Sequence, residues 1–284
     1  MRKSVDHTVT LVRDLVAASE TMRRLGFNVR PIAHHIGVGS ANAIIHFPET
    51  YHELVYTLGA RSDIAALYMP RLEDGEGLCH ISLTSDDLRA ETLRLLSEGF
   101  RPGDILQFSR DVIMPDGSFD QTASASLYNW HPVRQYVSLF FSEHPKPETI
   151  FIPEYADHAN GAQRLTRLSL MSTDPVADRS YFERSFGHAA DTADETGFCM
   201  RGGRGDICAV MSPEAAMSEY GDLLMVAVPV HTGGFPVAHH YQVADMDDTR
   251  AYLADAGIET RPHGPGVAVA GRDAVGSVLV LEPA

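Results

Sequence analysis

VDHTVTLV, residues 5–12, runs directly into DLVAASETMRRLG at 14–26, with AIIHF at 43–47 and TYHELVY at 50–56 following. Val and Thr crowd the first stretch, which is strand composition. In the second, Leu15, Val16, Met22 and Leu25 recur at helical spacing and Gly26 supplies the stop. Phe27 to Pro31, Ala41 to Phe47 and Tyr51 to Thr57 read as three more strands, with a turn-rich loop from His34 to Ser40. The unit is therefore a strand, a helix and three strands. It carries His7 on its first strand and Glu53 on its last.

The same unit returns. Leu78 to Leu83 is again a strand with a central histidine, His80, followed by a helix over Asp86 to Ser97 and a stop at Gly99. His7 precedes Gly26 by 19 residues (26 − 7), and His80 precedes Gly99 by the same 19 (99 − 80). Further strands are expected at Gly103 to Ser109, Ser124 to Asn129 and Gln135 to Phe141, with a longer loop near Asp116-Gly117. A third copy starts at Leu165, with a helix Pro175 to Phe186 stopped by Gly187. A fourth starts at Val237, with a helix Asp247 to Ala256 stopped by Gly257. The Pro-rich, polar stretch Glu143 to Gln163 separates the two pairs. The expected division is one domain over 1–145, a linker over 146–163 and a second domain over 164–284. Such self-similarity signals stacked units that do not close a core singly. The competing reading is one α+β domain in which the pattern recurs by chance.

Bulk properties bound the function. The 284 residues suffice for two cores, and the formal net charge of -15 argues against nucleic acid or an anionic membrane as partner, since both require clustered Lys and Arg. A small-molecule partner is expected instead. The N-terminal MRKSVDHTVTLV passes from basic residues straight to Asp6 and His7, so no secretory leader is expected. The longest apolar run, Leu223 to Val228, falls far short of the roughly 18 residues of a spanning helix. Cys79, Cys199 and Cys208 show no CxxC spacing, which fits a reducing, cytoplasmic setting.

The unit pattern, opened by Asp6-His7 and closed by Tyr51-His52-Glu53-Leu54, resembles the vicinal oxygen chelate superfamily of glyoxalases, type I extradiol dioxygenases and bleomycin-resistance proteins. Within it the chain is similar to the glyoxalase-like domain proteins, in which a His is followed by Gly-Thr-x-Asn and then Tyr-x-Glu-Leu. Here the matching residues are His35, Gly39-Ser40-Ala41-Asn42 and Tyr51-His52-Glu53-Leu54. The resemblance implies an α+β fold: tandem βαβββ modules, four copies, pairing into two half-open barrels.

It also implies one metal site per paired unit, with ligands from the first and last strand of each module. Matched residue by residue, those positions are His7, Glu53, His80 and Ser138, the last in place of a carboxylate. Two imidazoles and one carboxylate leave about three positions of an octahedral divalent ion (Fe, Mn, Zn or Ni) open to substrate oxygens. His35, Asn42, Tyr128, Trp130 and Arg134 are the candidate substrate-binding residues, Arg134 as a clamp for a carboxylate. The plainer alternative leaves His7, His80 and Glu53 as separate rim residues hydrogen-bonded to neighbours. His52 is one residue out of phase and is expected to face away. In the second half the matching positions are Arg167, Cys208, His240 and Val280, a set with a cation and no carboxylate, so that half is expected to be structural or to form a homodimer contact. Two functions stay open: a metal-dependent glyoxalase-like enzyme with lyase, isomerase or dioxygenase chemistry on a small oxygenated molecule, and a non-catalytic small-molecule or drug-binding protein of the same fold.

Overall fold

Two eight-stranded sheets with one shared strand order carry the chain. The structure, a computed structural model, describes residues 2–57, 68–69, 71–73, 75–130, 137–224 and 235–284. The first ten strands are β1 (Val5–Leu11), β2 (Ala33–His34), β3 (Ser40–His46), β4 (Tyr51–Thr57), β5 (Gly77–Thr84), β6 (Ile105–Phe108), β7 (Asp111–Ile113), β8 (Phe119–Gln121), β9 (Ser124–Asn129) and β10 (Ser138–Glu143). The remaining eight are β11 (Ala162–Met171), β12 (Thr192–Ala193), β13 (Gly197–Arg201), β14 (Ile207–Met211), β15 (Phe235–Val243), β16 (Arg261–His263), β17 (Gly266–Val269) and β18 (Val278–Glu282). The first sheet runs β2-β3-β4-β1-β5-β10-β9-β6 and the second β12-β13-β14-β11-β15-β18-β17-β16. Exchanging each strand for its counterpart turns one order into the other, so the two sheets share one topology.

Each unit's helix is set by the same local chemistry. The helices α1 (Leu15–Arg24), α2 (Leu88–Ser97) and α3 (Pro175–Phe186) start on Asp14, Asp87 and Asp174, whose carboxylates accept from free backbone N–H groups of the first turn. After the added α4 (Pro213–Tyr220), which the apolar spacing did not reveal, α5 (Met246–Asp255) starts on Asp245 in the same way. The stops at Gly26, Gly99, Gly187 and Gly257 all take positive φ.

Period-2 alternation then divides the side chains. Leu54, Ile81, Leu139 and Phe141 point to the helix side, where they join Leu25, Phe182 and Tyr241 in a core shared by both halves. Fully burying each such side chain contributes about 1.5–3 kcal/mol. Val9, Val55, Tyr128 and Phe140 point to the opposite, concave side. His52 does face away from that side, and its ring packs on His239 of the second half.

Three local readings change. Phe27 to Pro31 is not a strand: Val29 makes an isolated bridge to Ile45, and Ala33–His34 pairs with Asn42 and Ala41 instead. The expected loop at Asp116-Gly117 is the turn of a β-hairpin, β7 to β8, whose base is closed by the Thr122 N–H donating to the Arg110 carbonyl at 2.9 Å. Finally, β1 carries a register shift between Val5 and His7. A bulge there breaks the strict alternation of faces along β1 at Asp6.

Candidate functional site

On the concave side of the first sheet, β1 and β4 run parallel with Val9 opposite Glu53 and His7 opposite Tyr51. His7 and Glu53 thereby line one cavity of about 70 Å³, together with His35, Asn42, Arg110 and Tyr128. Tyr51 stacks on the His7 ring at 4.2 Å between centroids, and Phe140 meets its edge at 5.1 Å.

Asp6 holds His7. The bulge turns the Asp6 carboxylate to within 2.7 Å of His7 Nδ1, and His144 Nε2 reaches the same oxygen at 2.9 Å. Burial alone would raise the Asp6 pKa, but the hydrogen bonds from His144 and His7 hold the carboxyl well below the usual range. An ionised Asp6 accepts a hydrogen bond from Nδ1–H of His7, which leaves the Nε2 lone pair free for an electrophile. His144 Nδ1 lies 3.1 Å from Ser124 Oγ, so the network continues to the opposite wall.

Glu53 is held from the other side. Asn42 Nδ2 donates to Glu53 Oε1 at 2.5 Å, and His35 Nε2 stands 3.5 Å from the same oxygen. Burial pushes the Glu53 pKa up, but the hydrogen bond and charge of His35 lead the opposing influences and bring it down to about 2. His35 is itself anchored by Ser40 Oγ at 2.8 Å from Nδ1. His35 and Asn42, expected to touch substrate, thus both line the cavity and both position its one lining carboxylate.

His80 does not line the cavity. Its ring sits among Tyr68, Tyr128, Trp130 and Phe140, with centroids 5.4 to 6.1 Å away. Although His80 is only 5 % exposed, neither ring nitrogen makes a well-formed hydrogen bond to any of the described residues. Burial above all, then the nearby Arg71 charge, lowers its pKa to about 3, so the ring is neutral. Among the described residues, the triplets whose ligand atoms lie within 4.8 Å of one another are Asp6, His7, His144 and Glu219, His240, His263. His7, Glu53 and His80 are not gathered to that spacing.

Tyr128 lines the cavity, whereas Trp130 stacks behind it at 4.7 Å and 13°. Arg134 lies outside the described residues. Sequence reasoning missed Asp6, because a bulge leaves no period-2 signature. It also missed His144, which lies in the stretch read as separating the two pairs, and Arg110, delivered by the hairpin taken as a loop.

In the second half the register corrects the matching by one or two residues. Ser169 pairs with Ala209 as Val9 pairs with Glu53, and Ala238 pairs with Val278 as His80 pairs with Ser138. Ala209, Ala238 and Val278 therefore replace Cys208, His240 and Val280 at the counterpart positions; a one-residue slip sends Cys208 to the other face, into the shared core. Glu282, two residues beyond Val280, is half-buried and accepts from Thr166 Oγ1 at 2.6 Å. Where Glu219, His240 and His263 approach one another, Arg167 binds Glu219 through two bonds of 2.9 and 3.0 Å and Tyr220 bonds His240 at 2.8 Å.

The family model for the glyoxalase-like domain matches residues 5–184. The chain belongs to the glyoxalase-like domain family. Its fold is that of the vicinal oxygen chelate superfamily, and solved structures share it end to end. A hypothetical protein from Staphylococcus aureus aligns over 99 % of this chain and 100 % of its own at 12 % identity and TM-score 0.71. A mutant of 4-hydroxymandelate synthase from Streptomyces coelicolor aligns over 99 % and 92 % at 12 % identity and TM-score 0.58. A xylose isomerase-like TIM barrel/4-hydroxyphenylpyruvate dioxygenase fusion protein aligns over 100 % of this chain and 49 % of its own at 14 % identity and TM-score 0.55. No curated protein matches the chain in sequence. No helix among the described residues is long and apolar enough to cross a membrane.

The glyoxalase-like fold implies a divalent metal, and the donors fit one in kind. His7 offers a free Nε2, Glu53 is ionised, and the buried His80 has two nitrogens with nothing to bond. An orphaned imidazole in an aromatic shell carries an uncompensated desolvation cost that a bound ion would remove.

Proposed function

We propose that this glyoxalase-like protein is a metal-dependent enzyme acting on a small oxygenated molecule, with His7 and Glu53 as ligands facing the cavity and His80 as the third. The observation that carries the reading is His80: a buried imidazole, neither nitrogen of which is well bonded among the described residues, on the strand next to that of His7. The ion would supply Lewis-acid polarisation of substrate oxygens, as lyases, isomerases and ring-cleaving dioxygenases of the superfamily require. The chain's own contribution is positional. Asp6 fixes the tautomer of His7, Asn42 and His35 keep Glu53 ionised and pointed at the cavity, and Tyr51, Phe108 and Phe140 exclude water from it.

A second reading has its own support. Glu53 and His7 are already satisfied by Asn42, His35 and Asp6, and the three donors are not gathered, which suits a non-catalytic binding protein with an aromatic cleft. Elemental analysis of protein purified without added metal separates the two. The enzyme reading expects about one divalent ion per chain, lost in both His7→Ala and Glu53→Ala. Metal that persists in both variants, or its absence from wild-type protein supplied with each candidate ion, favours the binding protein.

A further inference from the structure

We infer that the cavity takes a small carboxylate, bound through its charged end by Arg110. This names a substrate class for the site proposed above and rests on that site being the functional one, though not on its metal. Arg110 is 6 % exposed, and a guanidinium carries five N–H donors that cannot be relieved by deprotonation. Among the described residues its only side-chain hydrogen bond is from Nη1 to the Asp111 carbonyl at 3.5 Å, the outer limit for such a bond. No carboxylate among the described residues stands at ion-pair distance from it. A cation removed from water without a counter-charge is a costly arrangement that folding alone gives no reason to keep.

Its placement says what it is kept for. Hydrogen bonds between Arg110 and Thr122 at the base of the β7–β8 hairpin fix the backbone, and Arg110 stands in the wall between the cavity of His7 and Glu53 and a second one lined by His46 and Asp111, near enough to Glu53 and Tyr51 for their charges to act on it. Glu53, the one carboxylate in that wall, is engaged by Asn42 and His35. The remaining polar wall near Arg110 is neutral hydroxyl, Thr122, Ser124 and Ser126, and the apolar wall is Phe108, Tyr128 and Phe140. A single cation beside neutral donors matches one negative charge, and the guanidinium fork matches a planar carboxylate with two parallel bonds. With a chain charge of -15, a multiply charged phosphate would be opposed by the protein's own field. The aromatic wall then receives the apolar remainder of the acid.

Benzoate, with benzamide as its uncharged counterpart, tests the inference on the full chain. Trp130 is the sole tryptophan and stacks on Tyr128, so its emission reports occupancy of the cavity. Benzoate is expected to bind saturably and roughly tenfold or more tighter than benzamide, a preference that Arg110→Gln abolishes by weakening benzoate far more than benzamide. Arg110→Lys, which keeps the charge but not the fork and serves should the glutamine variant fail to fold, is expected to lose about threefold or more for benzoate alone. Equal binding of the two probes, no saturable benzoate signal, or wild-type benzoate affinity in either Arg110 variant overturns the inference. So does benzoate binding that is lost in His7→Ala yet kept in Arg110→Gln, because the acid would then sit on the metal position. Metal content measured on the same samples keeps the two ideas apart: Arg110-dependent preference in metal-free protein upholds the carboxylate subsite and removes the metal.

Discussion

His52 from the first half and His239 from the second stack face to face, with centroids 4.7 Å apart and planes 10° from parallel. His52 is further held by Thr10 Oγ1 at 2.8 Å and by Tyr241 OH at 3.1 Å, which seats it in the seam between the sheets. Burial, opposed only by the Glu53 charge, lowers its pKa to about 4. Burial and the Arg110 charge lower that of His46 to about 3. A histidine depressed in this way binds its proton first in the unfolded chain, so stability is complete above pH 6.5 and falls as pH drops toward 4. Each contributes up to about 1.4 kcal/mol per pH unit in that window. Urea unfolding between pH 7 and 4.5 should show this slope, and His52→Gln should flatten it by about one histidine's share. An unchanged slope in that variant would place the acid sensitivity elsewhere.

Asp6→Asn should weaken whatever binds at His7 without emptying the cavity. The amide has no charge to hold the Nδ1 proton of His7 or that of His144 Nε2. Loss of such an outer partner costs about 10–100-fold in metal affinity. Competition against a chelator reads this directly, and an affinity equal to wild type would show that Asp6 does not position His7.

His80→Phe separates a ligand from a packing residue in one variant. Chelator-treated protein should gain about 1–3 kcal/mol in unfolding free energy, because two orphaned nitrogens leave an aromatic shell that accepts a phenyl ring. Metal-supplied protein should lose its ion. A variant that is destabilised without metal would mean that His80 has a structural partner.

Gly26→Ala and Gly257→Ala should part company. Both glycines have positive φ, +93° and +64°, so each pays about 1 kcal/mol for a left-handed alanine. A Cβ at Gly26 would also stand 2.6 Å from Asn160 Cβ and 2.8 Å from the Asn160 nitrogen, whereas one at Gly257 meets nothing within 4 Å. Thermal unfolding should show Gly26→Ala as the more damaging by at least about 1–2 kcal/mol. Equal losses would show that the Asn160 backbone yields.

The unit order, the four helices and their four glycine stops were legible in the residues because each depends on neighbours within one turn: an aspartate that caps, a spaced apolar stripe, a glycine free to take positive φ. His7 and Glu53 were legible as candidates, since alternation on two strands gives their shared face. What the sequence did not determine is everything that depends on register and on chain crossings. A bulge at Asp6, unmarked by composition, made that residue the partner of His7. The β7–β8 hairpin brought Arg110 into the same wall, and the aromatic shell, not the strand spacing, decided that His80 does not line the cavity with the other two. Local preferences are fixed over a few residues, but which side chains meet across a curved sheet is settled only when the pairing of distant strands is fixed.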